Sequence, residues 1–249
     1  MQQDLYEQWK KDEKAPFEGW DFSYLKDRWL EEQPPWYYKE TAKELVKSVT
    51  AVLDMGTGGG EVLASLVPLP KHTIATEGYK LNVKMAQKRL EPLGVDVVAV
   101  DESGKLPFAD KEFDLVLNRH GAFDGKEVYR VLKSNGIFLT QQVSGNNLDD
   151  LIQEFGSESK FKSWSVNTAK QELQDAGFKL TRAEEWSGKL VFKDIGAIVY
   201  FLKAIPWVVD GFSVDGYLST LERLQDKINK DSELVFTQTR FIIQAQKPL

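Results

Sequence analysis

The stretch that most constrains this chain is Val52-Leu53-Asp54-Met55-Gly56-Thr57-Gly58-Gly59-Gly60-Glu61. The apolar run ending at Leu53 reads as a buried strand, and Val62-Leu63-Ala64-Ser65-Leu66 reads as the first turns of a helix. Four glycines in five positions lie between them. Glycine tolerates positive φ and lets a ligand approach the backbone closely. The helix start beyond them offers unpaired N–H groups and the positive end of a dipole. A strand, a glycine turn and a helix in this order form a nucleotide-type cradle. The plain alternative is a tight turn in an unrelated α/β domain.

What is missing narrows the ligand. The dinucleotide fingerprint G-x-G-x-x-G needs glycine where Glu61 stands, and a carboxylate there would face a pyrophosphate. No Lys-Ser/Thr pair follows, so the P-loop pattern fails as well. The remaining pattern, Asp-x-Gly-x-Gly-x-Gly from Asp54 to Gly60, resembles motif I of the class I S-adenosylmethionine-dependent methyltransferases. Their ligand carries a sulfonium and an ammonium and no phosphate, which suits Asp54 and Glu61. The resemblance implies that Gly56, Thr57, Gly58 and Gly60 cradle it.

The chain beyond the turn keeps the same order. Thr73-Ile74-Ala75-Thr76 is a short strand ending at Glu77. That acid falls about 20 residues past the glycine turn, where ribose hydroxyls are held; Gly78 and Tyr79 adjoin it. An exposed loop acid is the alternative. Val95 to Val100 is a third strand ending at Asp101-Glu102, followed by Leu106-Pro107-Phe108 and by Phe113-Asp114-Leu115-Val116-Leu117. This run also resembles those methyltransferases. It implies that Asp101 accepts from the adenine amine, with Glu102 beside it where the family more often has a small residue.

The fourth strand runs into Asn118-Arg119-His120-Gly121. Ligands of open α/β sheets lie outside the carboxyl ends of the strands. Asn118 and His120 are therefore expected to border the transferred methyl. His120 has the ordinary pKa for a base or a substrate ligand; alternatively it bonds the loop. Asn118 is expected to touch cofactor or substrate, or to serve the turn. Trp36, Tyr37 and Tyr38, just before the motif, and Trp207 are the candidate substrate contacts. Packing within a lid is their alternative role.

Helices are expected over residues 39–49, 82–90, 126–133, 147–155, 195–202 and from Ser213 to about Asn229. Another runs over 168–176, with Thr168 and Gln171 at capping-box spacing. Strands are expected over residues 137–143, 178–186 and 234–245. The resemblance implies a Rossmann-like α/β fold. Its seven-stranded, mostly parallel sheet has helices on both faces and an antiparallel last strand beside the fifth, plus a helical and aromatic lid. The expected divisions are 1–38 (aromatic lid segment), 39–187 (methyltransferase core), 188–231 (lid insertion) and 232–249 (final strand). Trp9, Trp20, Trp29 and Trp36 crowd the first segment, which argues for packing rather than disorder.

Composition removes several classes. The chain has no cysteine and two histidines, so thiolate and histidine-rich metal sites are excluded and no metal is expected. The formal charge of −6 speaks against nucleic-acid binding. The polar start does not read as a signal peptide, and no apolar stretch is long enough to span a bilayer. The expected protein is a cytoplasmic monomer or homodimer. It would use S-adenosylmethionine to methylate a small molecule. An RNA or protein methyltransferase and a cofactor-binding protein without turnover are the alternatives.

Overall fold

The computed structural model describes residues 3–17, 20–101 and 103–249. Glu102 lies outside them. The strands are β1 (Trp29–Glu31), β2 (Ala51–Met55), β3 (His72–Glu77), β4 (Asp96–Ala99), β5 (Phe113–Arg119), β6 (Leu132–Val143), β7 (Lys179–Phe192) and β8 (Leu234–Gln246). They are ordered β1-β7-β8-β6-β5-β2-β3-β4. Pairing is parallel for β2 with β3, β2 with β5, β3 with β4 and β5 with β6. β8 runs antiparallel beside β6, from Ile137 opposite Gln246 to Val143 opposite Arg240. This is the placement expected for the last strand. The sheet has eight strands rather than seven; the addition is β1, three residues paired antiparallel with β7.

The chain divides into two compact units. The second comprises Pro35–Ser144, Trp164–Trp186 and Arg240–Leu249. Its helices are α2 (Tyr38–Val46), α3 (Glu61–Ala64), α4 (Lys80–Leu90), α5 (Gly125–Val131) and α7 (Val166–Asp175). Period-2 alternation in β2 feeds two cores. Ala51, Leu53 and Met55 join Val128 and Val131 of α5 and Ala169 and Leu173 of α7. Val52 joins Ala42 and Val46 of α2, Leu63 of α3, and Ala86 and Leu90 of α4. Helices thus cover both faces, as parallel sheets require. Each fully buried leucine here contributes about 1.5–3 kcal/mol.

The first unit comprises Met1–Pro34, Gly145–Ser163 and Ser187–Thr239. Its helices are α1 (Gln3–Lys14), α6 (Asp149–Glu154), α8 (Ile195–Ala204) and α9 (Leu218–Asp231). Trp9, Leu25, Phe192, Ile198, Leu202, Leu221 and Leu224 share its core. Phe22 and Trp29, 5.4 Å apart, pack on it. Trp9, Phe17, Phe22 and Trp29 are therefore core formers of this unit.

Four local expectations change. β6 begins at Leu132, within the range expected as helix, because α5 has ended at Val131. The α7 cap is Ser165, whose Oγ accepts from the Thr168 N–H at 3.2 Å while the Thr168 hydroxyl accepts from the Ser165 N–H at 2.8 Å. Thr168 is thus the third residue of the box rather than its first. α9 begins at Leu218, and Ser213 instead closes a preceding turn through the Gly216 N–H at 3.1 Å. β7 continues to Phe192, past Gly188, because Leu190, Val191 and Phe192 are buried.

Candidate functional site

β2 has β3 on one side and β5 on the other, and the chain order reverses there. The turn leaving β2 is therefore at the switch point of the sheet, the ligand position of open α/β folds. Gly56, Gly58 and Gly60 all adopt positive φ (66°, 62° and 82°). A Cβ on Gly60 would sit 2.8 Å from Leu90. Gly56 lies against Gly121, the residue leaving β5: a Cβ on Gly56 would be 3.6 Å from the Gly121 Cα. The two strand ends thus meet backbone to backbone.

Glu77 closes β3 and is buried. Its Oε2 accepts from the Gly58 N–H at 2.7 Å, and its Oε1 accepts from the N–H groups of Gly78 (2.9 Å) and Tyr79 (2.8 Å). The acid expected at the ribose thus ties the glycine turn to the β3 exit. The Gly78 backbone and the Tyr79 side chain are exposed there. The Thr57 N–H donates to the Thr76 carbonyl at 2.9 Å.

Asp54 is buried one residue before the end of β2. Its carboxyl is pushed up to about 7 by burial, while the Thr57 hydroxyl tempers this and the Glu77 charge adds to it. The buried Thr57 Oγ1 stands outside ideal hydrogen-bonding geometry to any partner. The buried Tyr38 hydroxyl also lacks such a partner. Burial and the Asp54 charge raise its pKa well above the ordinary phenol value; Arg119 and the Asn118 backbone act against them. A buried carboxylate and two unpartnered hydroxyls therefore gather at the turn.

Asn118 is fully buried, and both ends of its amide are engaged. Its Nδ2 donates to the Met55 carbonyl at 3.2 Å. Its Oδ1 accepts from the Thr140 hydroxyl at 2.8 Å and from Gln142 Nε2 at 2.6 Å. Gln142 Nε2 also reaches the Gly121 carbonyl at 2.9 Å. This network locks the β5 exit. His120 follows at φ 62°, a left-handed value uncommon for a side chain larger than glycine. Its N–H donates to the Gln141 carbonyl at 2.8 Å, and its Nε2 meets Gln141 Nε2 at 3.1 Å. Desolvation, then Arg119 and Arg240, hold its pKa well below the ordinary imidazole value. His120 keeps an exposed surface, so we give the two cations more weight than the desolvation.

The other expected residues disperse. Glu61 is exposed and pairs with Arg89. Asp101 is exposed and accepts from the Ser103 N–H at 2.9 Å, a local turn two residues beyond β4. Trp36 is buried and donates to Gln141 Oε1 at 2.8 Å. Tyr37 is 72% exposed. Trp207 belongs to the first unit, edge to face with Trp20 at 5.8 Å. Sequence reasoning missed Gln141, Gln142 and Thr140. Their signal was three polar residues in a run predicted to be a buried strand, where unpaired polar groups are costly. Among the described residues no group of three or more His, Asp or Glu is placed to hold a metal, and no helix is long and apolar enough to cross a membrane.

The sheet thus has its glycine turn at the switch point, an acid ending the next strand and a buried acid before the turn. Residues 53–140 match the family described as a methyltransferase domain, whose members use S-adenosylmethionine as methyl donor. A ribosomal protein L11 methyltransferase from Caldicellulosiruptor bescii is 24% identical over 144 residues, 53% of this chain and 47% of that protein. The chain thus spans about half the length of that curated relative. A candidate methyltransferase from Bacillus halodurans C-125 superposes with a TM-score of 0.61 at 21% identity, covering 85% of this chain and 97% of that one. The [4+2]-cyclase SpnF superposes at 0.53 with 16% identity over 85% of this chain and 80% of its own. These two likenesses show the fold alone.

Proposed function

We propose that this protein is a methyltransferase that moves the methyl group of S-adenosylmethionine to a small-molecule acceptor. The observation that carries the reading is the Asp54 carboxylate, buried at the glycine turn beside the unpartnered Tyr38 and Thr57 hydroxyls. Leaving such groups unsatisfied costs about 1–3 kcal/mol each. A ligand bearing an ammonium beside hydrogen-bonding groups meets all three. When bound, S-adenosylmethionine supplies an activated methyl group on a positively charged sulfur.

The residues that would hold it are Asp54, Tyr38, Thr57 and Glu77, with the backbone of Gly56, Gly58 and Gly60. Glu77 uses three backbone donors and keeps acceptor capacity for a hydroxyl. Asn118, spent on the Met55–Thr140–Gln142 network, shapes the site. His120 faces the acceptor. Glu61, Tyr79 and Asp101 stay within the proposal as outer contacts, as does Tyr37 as an acceptor contact.

The test is calorimetry with S-adenosylhomocysteine on the wild type and Asp54→Asn, followed by methyl transfer to a panel of small amines, phenols and acids. Failure of the wild type to bind the nucleoside overturns the reading. A second reading, transfer to a protein side chain, is favoured by the ribosomal-protein methyltransferase relative. It gains if radiolabelled methyl appears on ribosomal proteins and on none of the panel.

A further inference from the structure

His120 has been treated as a candidate base, and the geometry around it points elsewhere. Indole N–H can only donate. Trp36 Nε1 lies 2.8 Å from Gln141 Oε1, so the Gln141 amide is oriented with its oxygen toward Trp36. Its NH₂ group is then the atom 3.1 Å from His120 Nε2. An amide NH₂ can only donate, so His120 Nε2 must accept. A neutral imidazole that accepts on one nitrogen carries its proton on the other. The backbone repeats the clamp, because the His120 N–H donates to the Gln141 carbonyl at 2.8 Å. Among the described residues no hydrogen bond engages His120 Nδ1, and the residue retains an exposed surface.

We propose that Gln141, oriented by Trp36, holds His120 as the neutral Nδ1–H tautomer, making His120 a hydrogen-bond donor to the acceptor molecule and not its general base. The part concerning the acceptor rests on the methyltransferase reading above; the tautomer does not. With the Nε2 lone pair already engaged, the ring has no free site for a substrate proton. The acceptor group it addresses offers a lone pair on oxygen or nitrogen to Nδ1–H. Gln141 is a positioning residue in this scheme, as is Trp36. Arg119 and Arg240, the two cations acting on the ring, oppose its protonation and so support the same state.

The test is long-range ¹⁵N–¹H spectroscopy of the imidazole nitrogens in the full chain without ligand. The chain has two histidines, His72 and His120, so a His72→Gln variant assigns the spectrum. The expected result is a protonated Nδ1 and a bare Nε2 on His120, unchanged from pH 6 to pH 8. An Nε2–H tautomer or an imidazolium in that range overturns the proposal. Gln141→Glu replaces the donor with a carboxylate; it is expected to move the His120 proton to Nε2 and raise its titration midpoint by about one pH unit or more. An unchanged spectrum in that variant also overturns it. Should the variant not fold, the wild-type spectrum still decides. If S-adenosylhomocysteine failed to bind while the tautomer was as stated, the function would fall and the tautomer would stand.

Discussion

Asp12 in the first unit and Asp54 in the second are both buried, and the chain treats them oppositely. Asp12 is surrounded by donors. Arg28 grips it at 2.9 and 3.2 Å, the Tyr24 hydroxyl donates at 2.8 Å, and Gln8 donates at 3.2 Å. Burial raises its pKa, but the bonds from Arg28, Tyr24 and Gln8 outweigh it and leave the carboxyl below the usual range. Arg28 is shared with Asp194, which in turn caps α8 through the Ala197 N–H at 2.8 Å. There is no room for more: a Cβ on Gly196 would stand 1.9 Å from Asp12 Oδ2. Asp54 has burial without that shell, and its carboxyl rises to about 7. A buried acid satisfied by its own chain is structural. One left unsatisfied awaits a ligand, because nothing else offsets its desolvation.

The largest expected effect tests the first half of that contrast. Asp12→Ala leaves Arg28 with Asp194 alone and opens a gap beside Gly196. Breaking one partner of a buried pair costs about 3–5 kcal/mol. Urea unfolding should show a loss in that range. A loss below about 1 kcal/mol would mean that Asp12 and Arg28 are as weakly coupled as an exposed pair.

Asp54→Asn tests the other half and should behave differently. Affinity for S-adenosylhomocysteine is expected to fall about 100-fold, as for a lost charge-assisted contact of about 3 kcal/mol. The stability of the free protein at pH 8 should hold or rise, since a charge without a partner has been removed. If this variant unfolded as readily as Asp12→Ala, Asp54 would be structural and the contrast would collapse.

The same contrast has a pH signature. The folded-state pKa of Asp54 lies above its unfolded value, near 7 against 3.8. The folded protein therefore holds a proton that the unfolded chain has released. This contribution to stability is greatest below about pH 4 and is lost as pH rises through about 7, by about 4 kcal/mol at most. Ammonium binding needs the ionised form. Affinity for S-adenosylhomocysteine should thus rise up to about tenfold per pH unit between pH 5 and pH 7, then level off. Calorimetry at five pH values reads this; a flat profile would mean that Asp54 is already ionised at pH 5.

Much of the second unit was legible from sequence, for a physical reason. Parallel strands buried on both faces appear as apolar runs, and the glycine turn needs positive φ that glycine readily supplies. The first unit was less legible. α1 is a polar helix whose buried face holds Trp9 and Asp12, and Asp12 finds its partner Arg28, itself shared with Asp194, only through tertiary contact. In the candidate site, the positions of Gly56, Gly58, Gly60, Asp54 and Glu77 were readable because each is fixed locally by a strand end and the turn that leaves it. The adenine role of Asp101 came from resemblance, and the turn its carboxylate closes on the Ser103 N–H was not legible, because a strand-end position does not say which donor an exposed acid takes. Gln141 was missed because its meaning depends on Trp36 and His120, which are distant in sequence. The choice between Tyr37 and Tyr38 was open to helical phase: Tyr38, Ala42 and Val46 are four apart and all buried on α2.

Tyr38 gives the smallest and sharpest prediction. Its ring belongs to the core with Ala42 and Val46, while its hydroxyl has no partner. Tyr38→Phe keeps the ring and removes only the oxygen. If the hydroxyl were structural, its loss would cost about 1 kcal/mol, as for a typical hydrogen bond. An unpartnered buried hydroxyl is instead a small burden, so stability should be unchanged or rise by up to about 1 kcal/mol. The ligand should feel the opposite, with S-adenosylhomocysteine bound roughly fivefold more weakly, about 1 kcal/mol. Opposed signs in melting and binding mark a group kept for a ligand. A change of the same sign in both would place Tyr38 with Asp12 among the residues that hold the fold.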